Sequence, residues 1–262
     1  MSALTAMPGV VAVNTFREAV RDRVLYNLIF FVFLMMGAAI LVGQISIGIE
    51  RLVIINLGLS AISAFGLVMA IFIGVGLVSK EIEKRTLYSL LAKPIRRWEF
   101  IAGKFGGLLL TLIVNTSVMT LGVLLALVYV GHPYNPYAKE VVIAVYFILL
   151  SLALVTALAL FFSCFSSPML STLFTLGIYI TGVFSEDIRG FGEVTNNKLL
   201  LAVTRVIYYM IPNFHNFNAI AIASHGQAIP FRQVWQNSLY ALLYVVLILF
   251  AASAVFSRRN LK

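Results

Sequence analysis

Charged residues are scarce in this sequence. They make up 11% of its 262 residues, whereas a soluble domain carries about 25%. Hydrophobic residues make up 61% of the chain, and the mean hydropathy is +0.99. This composition excludes a disordered chain, and it differs from the composition of a soluble globular domain. Cysteine is nearly absent as well, and because Cys164 is the only one, no intramolecular disulfide is possible. We therefore interpret the chain as a membrane protein.

Long uncharged apolar stretches predict six transmembrane helices, each of about 20 mostly apolar residues. The uncharged stretch 141–185 is long enough for two spans, and Ser166-Ser167-Pro168 divides it because proline cannot continue a helix. The apolar stretch 199–211 is too short for a span and contains Arg205, so we expect an interfacial or re-entrant helix there. The predicted fold is an all-α integral membrane protein that forms a single transmembrane domain over residues 1–262. Its spans are 24–43, 57–78, 105–131, 141–163, 169–184 and 233–256.

Basic residues are distributed unevenly between the two sides of this predicted membrane domain. Of the 19 Lys and Arg residues, 13 lie on the side of the N-terminus and 6 on the other side. Short cytoplasmic loops carry the excess of Lys and Arg, so the N-terminus is predicted to be cytoplasmic. An even number of spans then places the C-terminus there too. Membrane topology explains the net charge of +9, and the predicted partner is the lipid bilayer and not nucleic acid.

Residues 10–23 are predicted to form an amphipathic elbow helix that leads into the first span. Val13, Phe16 and Val20 share one face, with polar residues opposite. Thr15 and Glu18 have the spacing of a capping box at the start of this helix. The alternative is a basic juxtamembrane patch that only fixes the topology.

The segment 80–104, between spans two and three, is too polar for lipid and too short for a domain. Glu81 and Glu83 suit the N-terminus of a helix, and Leu87 and Leu91 share a helical face. Pro94 suits the first position of the next helix. This pattern favours docking to a cytoplasmic partner over a plain connector. The residues predicted to dock are Glu81, Glu83, Arg85, Leu87, Leu91, Pro94, Arg96 and Arg97.

The same segment resembles the first cytoplasmic loop of type-2 ABC exporter permeases. The similar runs are Glu83-Lys-Arg-Thr-Leu87, Leu90-Leu-Ala-Lys-Pro-Ile95, Arg96-Arg-Trp-Glu-Phe100 and Gly103-Lys104. They look most like the branch associated with multicopper-enzyme maturation, as does Tyr208-Tyr-Met-Ile-Pro-Asn213. The resemblance implies that the segment contains a coupling helix, which packs on a separate ABC ATPase subunit.

The resemblance has further implications for the assembly. Two permease subunits, identical or related, would join two ATPase subunits in a bacterial inner membrane, and the translocation path would lie between the permeases. ATP and Mg²⁺ would be used by the partner subunit. The external segment 186–232 would form short helices that cap the exit side of the path. An interfacial anchor without a gating role is the alternative for that segment.

Residues suited to catalysis are missing from the predicted spans, which contain no Asp, Glu or His. A P-loop needs two glycines with four residues between them and then Lys-Ser or Lys-Thr, but Gly103-Lys104 is followed by Phe105. His132, His215 and His225 lack the spacing of metal ligands. We therefore predict no catalytic residue, no metal site and no cofactor bound by this chain.

For two sets of residues inside the spans, the sequence leaves two alternative roles. Asn115, Thr116 and Thr120 line a polar part of a path or bond to a neighbouring helix. Gly66, Ala70 and Gly74 are four residues apart, a spacing that lets another span or a second copy approach closely. A membrane anchor or assembly factor without transport is the second function considered.

Overall fold

A computed structural model of the chain is all-helical over the residues that it describes. Those residues are 7–19, 30–31, 33–38, 40–41, 48–83, 97–130, 138–194 and 198–258. The helices are α1 (Met7–Ala19), α2 (Glu50–Glu83), α3 (Arg97–Tyr129), α4 (Ala138–Ser163), α5 (Pro168–Val183), α6 (Ser185–Val194), α7 (Lys198–Met210), α8 (Ile220–Ser224) and α9 (Phe231–Arg258), with a 3-10 turn at His215–Phe217. The predicted all-α class is confirmed for this part of the chain.

Four helices, α2, α3, α4 and α9, are long and apolar enough to cross a membrane. α5 and α6 pass the same test together, although they bend by 59° at their junction, so they add a fifth span if the pair crosses as one. Half of the first predicted span, 24–43, lies outside the described residues, and its described residues, 30–31, 33–38 and 40–41, are helical. The count of six spans therefore stays a prediction.

α2 and α3 both extend beyond their predicted apolar spans. α2 begins at Glu50, whose carboxylate accepts a 2.9 Å hydrogen bond from the backbone N–H of Gly48. Gly48 has a φ of +90°, a conformation that glycine adopts at little cost. α2 continues to Glu83, and α3 begins at Arg97. The two helices are therefore separated only by residues 84–96.

α4 lies at the centre of the bundle. It packs against α2, α3, α5 and α9, and all nine residues from Leu152 to Leu160 are buried. A helix that is apolar on every side is stable when it is surrounded on every side, which explains its central position. The chain then breaks at Ser166 and Ser167, and α5 begins with Pro168 in its first turn.

Residues 211–230, here called the return segment, fold back into the bundle. Phe214, Phe217, Ala223 and Ile229 are buried in the main hydrophobic core. The segment contains the 3-10 turn and α8, which pack against α4, and α8 also packs against α2. Part of the loop before α9 therefore belongs to the core of the protein.

Candidate docking end and helix interfaces

The predicted docking residues lie mostly outside the described part of the chain. Arg85, Leu87, Leu91, Pro94 and Arg96 fall in the segment 84–96, which the structure does not describe. Docking by these residues therefore stays a prediction.

The remaining predicted docking residues, Glu81, Glu83 and Arg97, lie at the two helix ends that flank this segment. Arg97 is the first residue of α3. Glu81 and Glu83 lie in the last turn of α2 and not at the start of a new helix, which corrects the sequence prediction. The reason is that no proline or glycine follows Gly76 before Glu83, so nothing ends α2 earlier.

The start of α3 packs against the ends of α4 and α9. Phe100 and Ile101 of α3 form a buried cluster with Cys164, which follows α4, and with Ala252 and Phe256 of α9. The rings of Phe100 and Phe256 are stacked at 15°, with their centroids 5.8 Å apart. We call this end of the bundle the docking end. It brings the C-terminal part of α9 close to the helix that follows the segment 84–96.

Two charged residues are buried at the docking end. Glu99 is 8% exposed and Lys104 is 3% exposed. The Lys104 ammonium lies 5.8 Å from the centroid of the Phe100 ring, within range of a cation–π contact. The burial of Lys104 was not predicted from the sequence. Lys104 is one helical turn beyond Phe100 and is therefore on the face of α3 that packs inward.

α1 packs against the first turns of α3, at a glycine pair. A Cβ atom on Gly107 would lie 2.5 Å from the Ala12 carbonyl oxygen and 2.6 Å from the Thr15 Cβ. A Cβ on Gly106 would lie 3.8 Å from the Ala12 Cβ, which is an ordinary contact. The absence of a side chain at Gly107 is therefore what lets the two helices approach so closely.

The start of α1 corrects the predicted capping box. The helix begins at Met7, so Thr15 lies in its middle and forms no capping box with Glu18. Thr15 is 1% exposed, and its hydroxyl has no hydrogen-bond partner among the described residues. Val13, on the predicted apolar face, is 47% exposed. The face that packs on α3 is thus the one with Ala12 and Thr15, because only small side chains fit against Gly107.

The polar residues of α3 bond to the backbone of their own helix. The Asn115 amide group donates to the Thr111 carbonyl at 2.9 Å, and the Thr116 hydroxyl donates to the Leu112 carbonyl at 2.8 Å. The Thr120 hydroxyl donates to the Thr116 carbonyl at 2.6 Å. Such bonds satisfy a hydroxyl in an apolar setting without a second helix. Asn115 and Thr116 are buried within the subunit, and a role of these residues in a path stays a prediction.

Gly66, Ala70 and Gly74 of α2 lie inside the subunit. A Cβ on Gly66 would lie 2.5 Å from the Leu152 Cδ1, and one on Gly74 would lie 2.9 Å from the Ala159 Cβ. Ala70 is 2% exposed. The two glycines therefore face α4 of the same chain, where a second copy has no access to them.

Polar side chains of α9 attach the return segment to the bundle. The backbone N–H of Asn213 donates to the Tyr240 hydroxyl at 2.8 Å. The Asn237 amide group donates to the Asn216 carbonyl at 2.7 Å. Sequence reasoning missed these contacts, although Asn237 and Tyr240 were visible as polar groups in an apolar span. Polar groups in such spans usually have specific partners.

α6 and α7 form a helical hairpin beside the return segment. Gly192 of α6 lies directly against Thr204 of α7, and the Arg189 guanidinium lies 5.1 Å from the centroid of the Tyr208 ring. The His215 Nε2 lies 3.6 Å from a Glu186 carboxylate oxygen. Within the described residues, no three His, Cys, Asp or Glu side chains lie close enough to hold a metal ion.

Comparison with known proteins gives one family. A family model described as "ABC-2 family transporter protein" matches residues 10–261, which is nearly the whole chain. No curated protein matches it. The matched range includes most of α1, all the described apolar helices and the segment 84–96.

Proposed function

The chain belongs to the ABC-2 family of transporter proteins, and we propose that it is the permease subunit of an exporter driven by a separate ATPase. Members of this family are transmembrane components and are not themselves catalytic. The chain is thus an integral membrane protein, as its four or five candidate spans also indicate. The family match over residues 10–261 is the observation that carries the proposal.

The sequence supports a separate energy source. It contains no P-loop, and no soluble segment is long enough to form a nucleotide-binding domain. ATP and Mg²⁺ would therefore be bound by the partner ATPase. The run 83–100 also favours the branch of permeases associated with multicopper-enzyme maturation.

The segment 84–96 is the proposed contact with the ATPase. In the sequence it lies between Glu83, the last residue of α2, and Arg97, the first residue of α3. α3 is held at its first turns by α1 and by the stacked Phe100–Phe256 pair. A displacement of the segment would therefore move α3 together with α1 and the end of α9. Closure of the ATPase on ATP would in this way change access to a path between two permease subunits.

The proposed arrangement has two permease copies, identical or related, in a bacterial inner membrane. The docking end contains the start of α3, which follows the segment 84–96 in the sequence, and the C-terminal part of α9. The 13-to-6 distribution of basic residues supports the cytoplasm for that end.

Co-purification tests the proposal. The tagged chain, expressed in its native host and extracted in mild detergent, should bring down an ABC ATPase. ATP turnover by that ATPase should change when the permease is reconstituted with it in lipid vesicles. A chain that purifies without any ATPase, or one that leaves the turnover of its ATPase unchanged, would instead be a membrane anchor.

A further inference from the structure

A cavity of about 110 Å³ lies between α2, α4, α5 and the return segment. Its volume corresponds to roughly three or four water molecules at about 30 Å³ each. His215 and Asn218 are both exposed, so they mark the mouth of the cavity. Its polar lining residues are Ser63, Ser151, Tyr179, His215 and Asn218.

The lining can both donate and accept hydrogen bonds. It offers three hydroxyl groups, an amide and an imidazole. The Ser63, Ser151 and Tyr179 hydroxyls can each donate one hydrogen bond and accept others. The Phe214 ring packs against the Tyr179 ring at 5.1 Å and gives the cavity an apolar wall.

The charges around the cavity disfavour an ion as its occupant. No Asp, Glu, Lys or Arg side chain lines it among the described residues. An ion that left water for this site would have no opposite charge beside it, which is costly. The Glu186 carboxylate lies on α6, and one of its oxygens is 3.6 Å from the His215 Nε2 at the mouth.

We propose that this cavity binds a small uncharged solute that carries hydroxyl groups. A two- or three-carbon polyol places C–H groups on the aromatic wall while its hydroxyls replace the hydrogen bonds of three or four water molecules. The proposal goes beyond the permease function, because the cavity lies within one subunit and needs neither an ATPase nor a second copy.

Thiol labelling tests this site on the full chain in lipid nanodiscs. Ser151→Cys, in a Cys164→Ala background, places a thiol in the cavity. We expect a small uncharged methanethiosulfonate to modify it at least about tenfold faster than a trimethylammonium analogue, because the charged reagent loses its hydration. Glycerol, as the probe solute, should slow the uncharged reagent. Gln227→Cys, an exposed position of the return segment, is the control, which both reagents should modify without protection by glycerol.

A second variant distinguishes the binding of glycerol from the access of the thiol reagent to the cavity. Ser63→Ala keeps the space but removes a hydroxyl, so protection by glycerol should weaken while the rate of the uncharged reagent stays the same. Entry of the reagent without protection by glycerol would mean that the cavity holds only water, which overturns the proposal. Equal rates for both reagents, or no modification at all, would contradict it as well. Since this experiment contains no ATPase, a negative result would not contradict the proposal that the chain is a permease.

Discussion

Thr15 of α1 lies against Gly107 of α3 so closely that a Cβ atom on Gly107 would come within 2.6 Å of the Thr15 Cβ. The contact joins the N-terminal helix to the helix that follows the segment 84–96. Any movement that reaches α3 from that segment therefore also reaches α1.

The glycine pair gives a matched test of this contact. Gly107→Ala should destabilise the protein by about 1–3 kcal/mol, the usual effect of overpacking. The backbone carbonyl of Ala12 would have to move away from the new methyl group, whereas Gly106→Ala has room for it. Thermal unfolding in one detergent should show a lower midpoint for Gly107→Ala and an unchanged or slightly higher one for Gly106→Ala. Equal midpoints for both variants would mean that α1 does not pack at Gly107.

Tyr240 is predicted to hold the return segment in place. Tyr240→Phe leaves the backbone N–H of Asn213 without its acceptor, at a cost of about 1–3 kcal/mol for a buried donor. Hydrogen–deuterium exchange in residues 211–218 should become faster. Tyr209→Phe, at an exposed ring, should leave exchange there as in the unmodified protein. If both variants exchange alike, the hydrogen bond does not restrain the segment.

The orientation in the membrane follows from the distribution of basic residues and can be measured by labelling. In a Cys164→Ala background, Ser89→Cys and Asn260→Cys should be protected from an impermeant thiol reagent in intact cells, because both positions are predicted to be cytoplasmic. Asn196→Cys should be labelled. Labelling of Ser89→Cys together with protection of Asn196→Cys would show the opposite orientation.

The α6–α7 hairpin predicts that α7 does not cross the membrane. Its 13 residues are too few for a span, and Thr204 packs on Gly192 of the neighbouring short helix. Reporter enzymes fused after residue 197 and after residue 211 should therefore both report the external side. Opposite sides would require an additional span and would reverse the direction in which α9 crosses.

Sequence reasoning identified local features well. The break near Pro168 and the helical character of 199–211 depend on proline chemistry and on length, which are properties of short segments. The faces by which helices meet were much harder to predict. In a bilayer both the lipid-facing and the protein-facing sides of a helix are apolar, so periodicity does not distinguish them.

The contacts that were not predicted have this common cause. The face of α1 that packs depends on Gly107, which is distant in sequence, and the burial of Phe100 depends on Phe256 at the far end of the chain. The return segment enters the core because Tyr240 and Asn237 accept and donate bonds to its backbone. None of these partners is visible from a single segment of sequence.

The central claim is that the segment 84–96 docks an ATPase. Buried leucines typically contribute about 2–5 kcal/mol each, so Leu87→Ala with Leu91→Ala should release the ATPase or uncouple its turnover. Ser89→Ala, on the opposite face of the predicted helix, is the matched control. Arg96→Glu with Arg97→Glu should weaken docking in a salt-dependent way if these charges meet acidic residues across the interface. All variants should still insert in the membrane, because no predicted span is changed.

The most direct measurement is the amount of ABC ATPase that co-purifies with the Leu87→Ala/Leu91→Ala variant, compared with the Ser89→Ala control at equal permease recovery. Since a loss of about 2–5 kcal/mol at each leucine exceeds a tenfold change in affinity, our account predicts that the ATPase is largely lost from the double variant and retained by the control. Retention of the ATPase at the control level, with unchanged ATP turnover and export, would show that the segment is only a connector and would contradict the account.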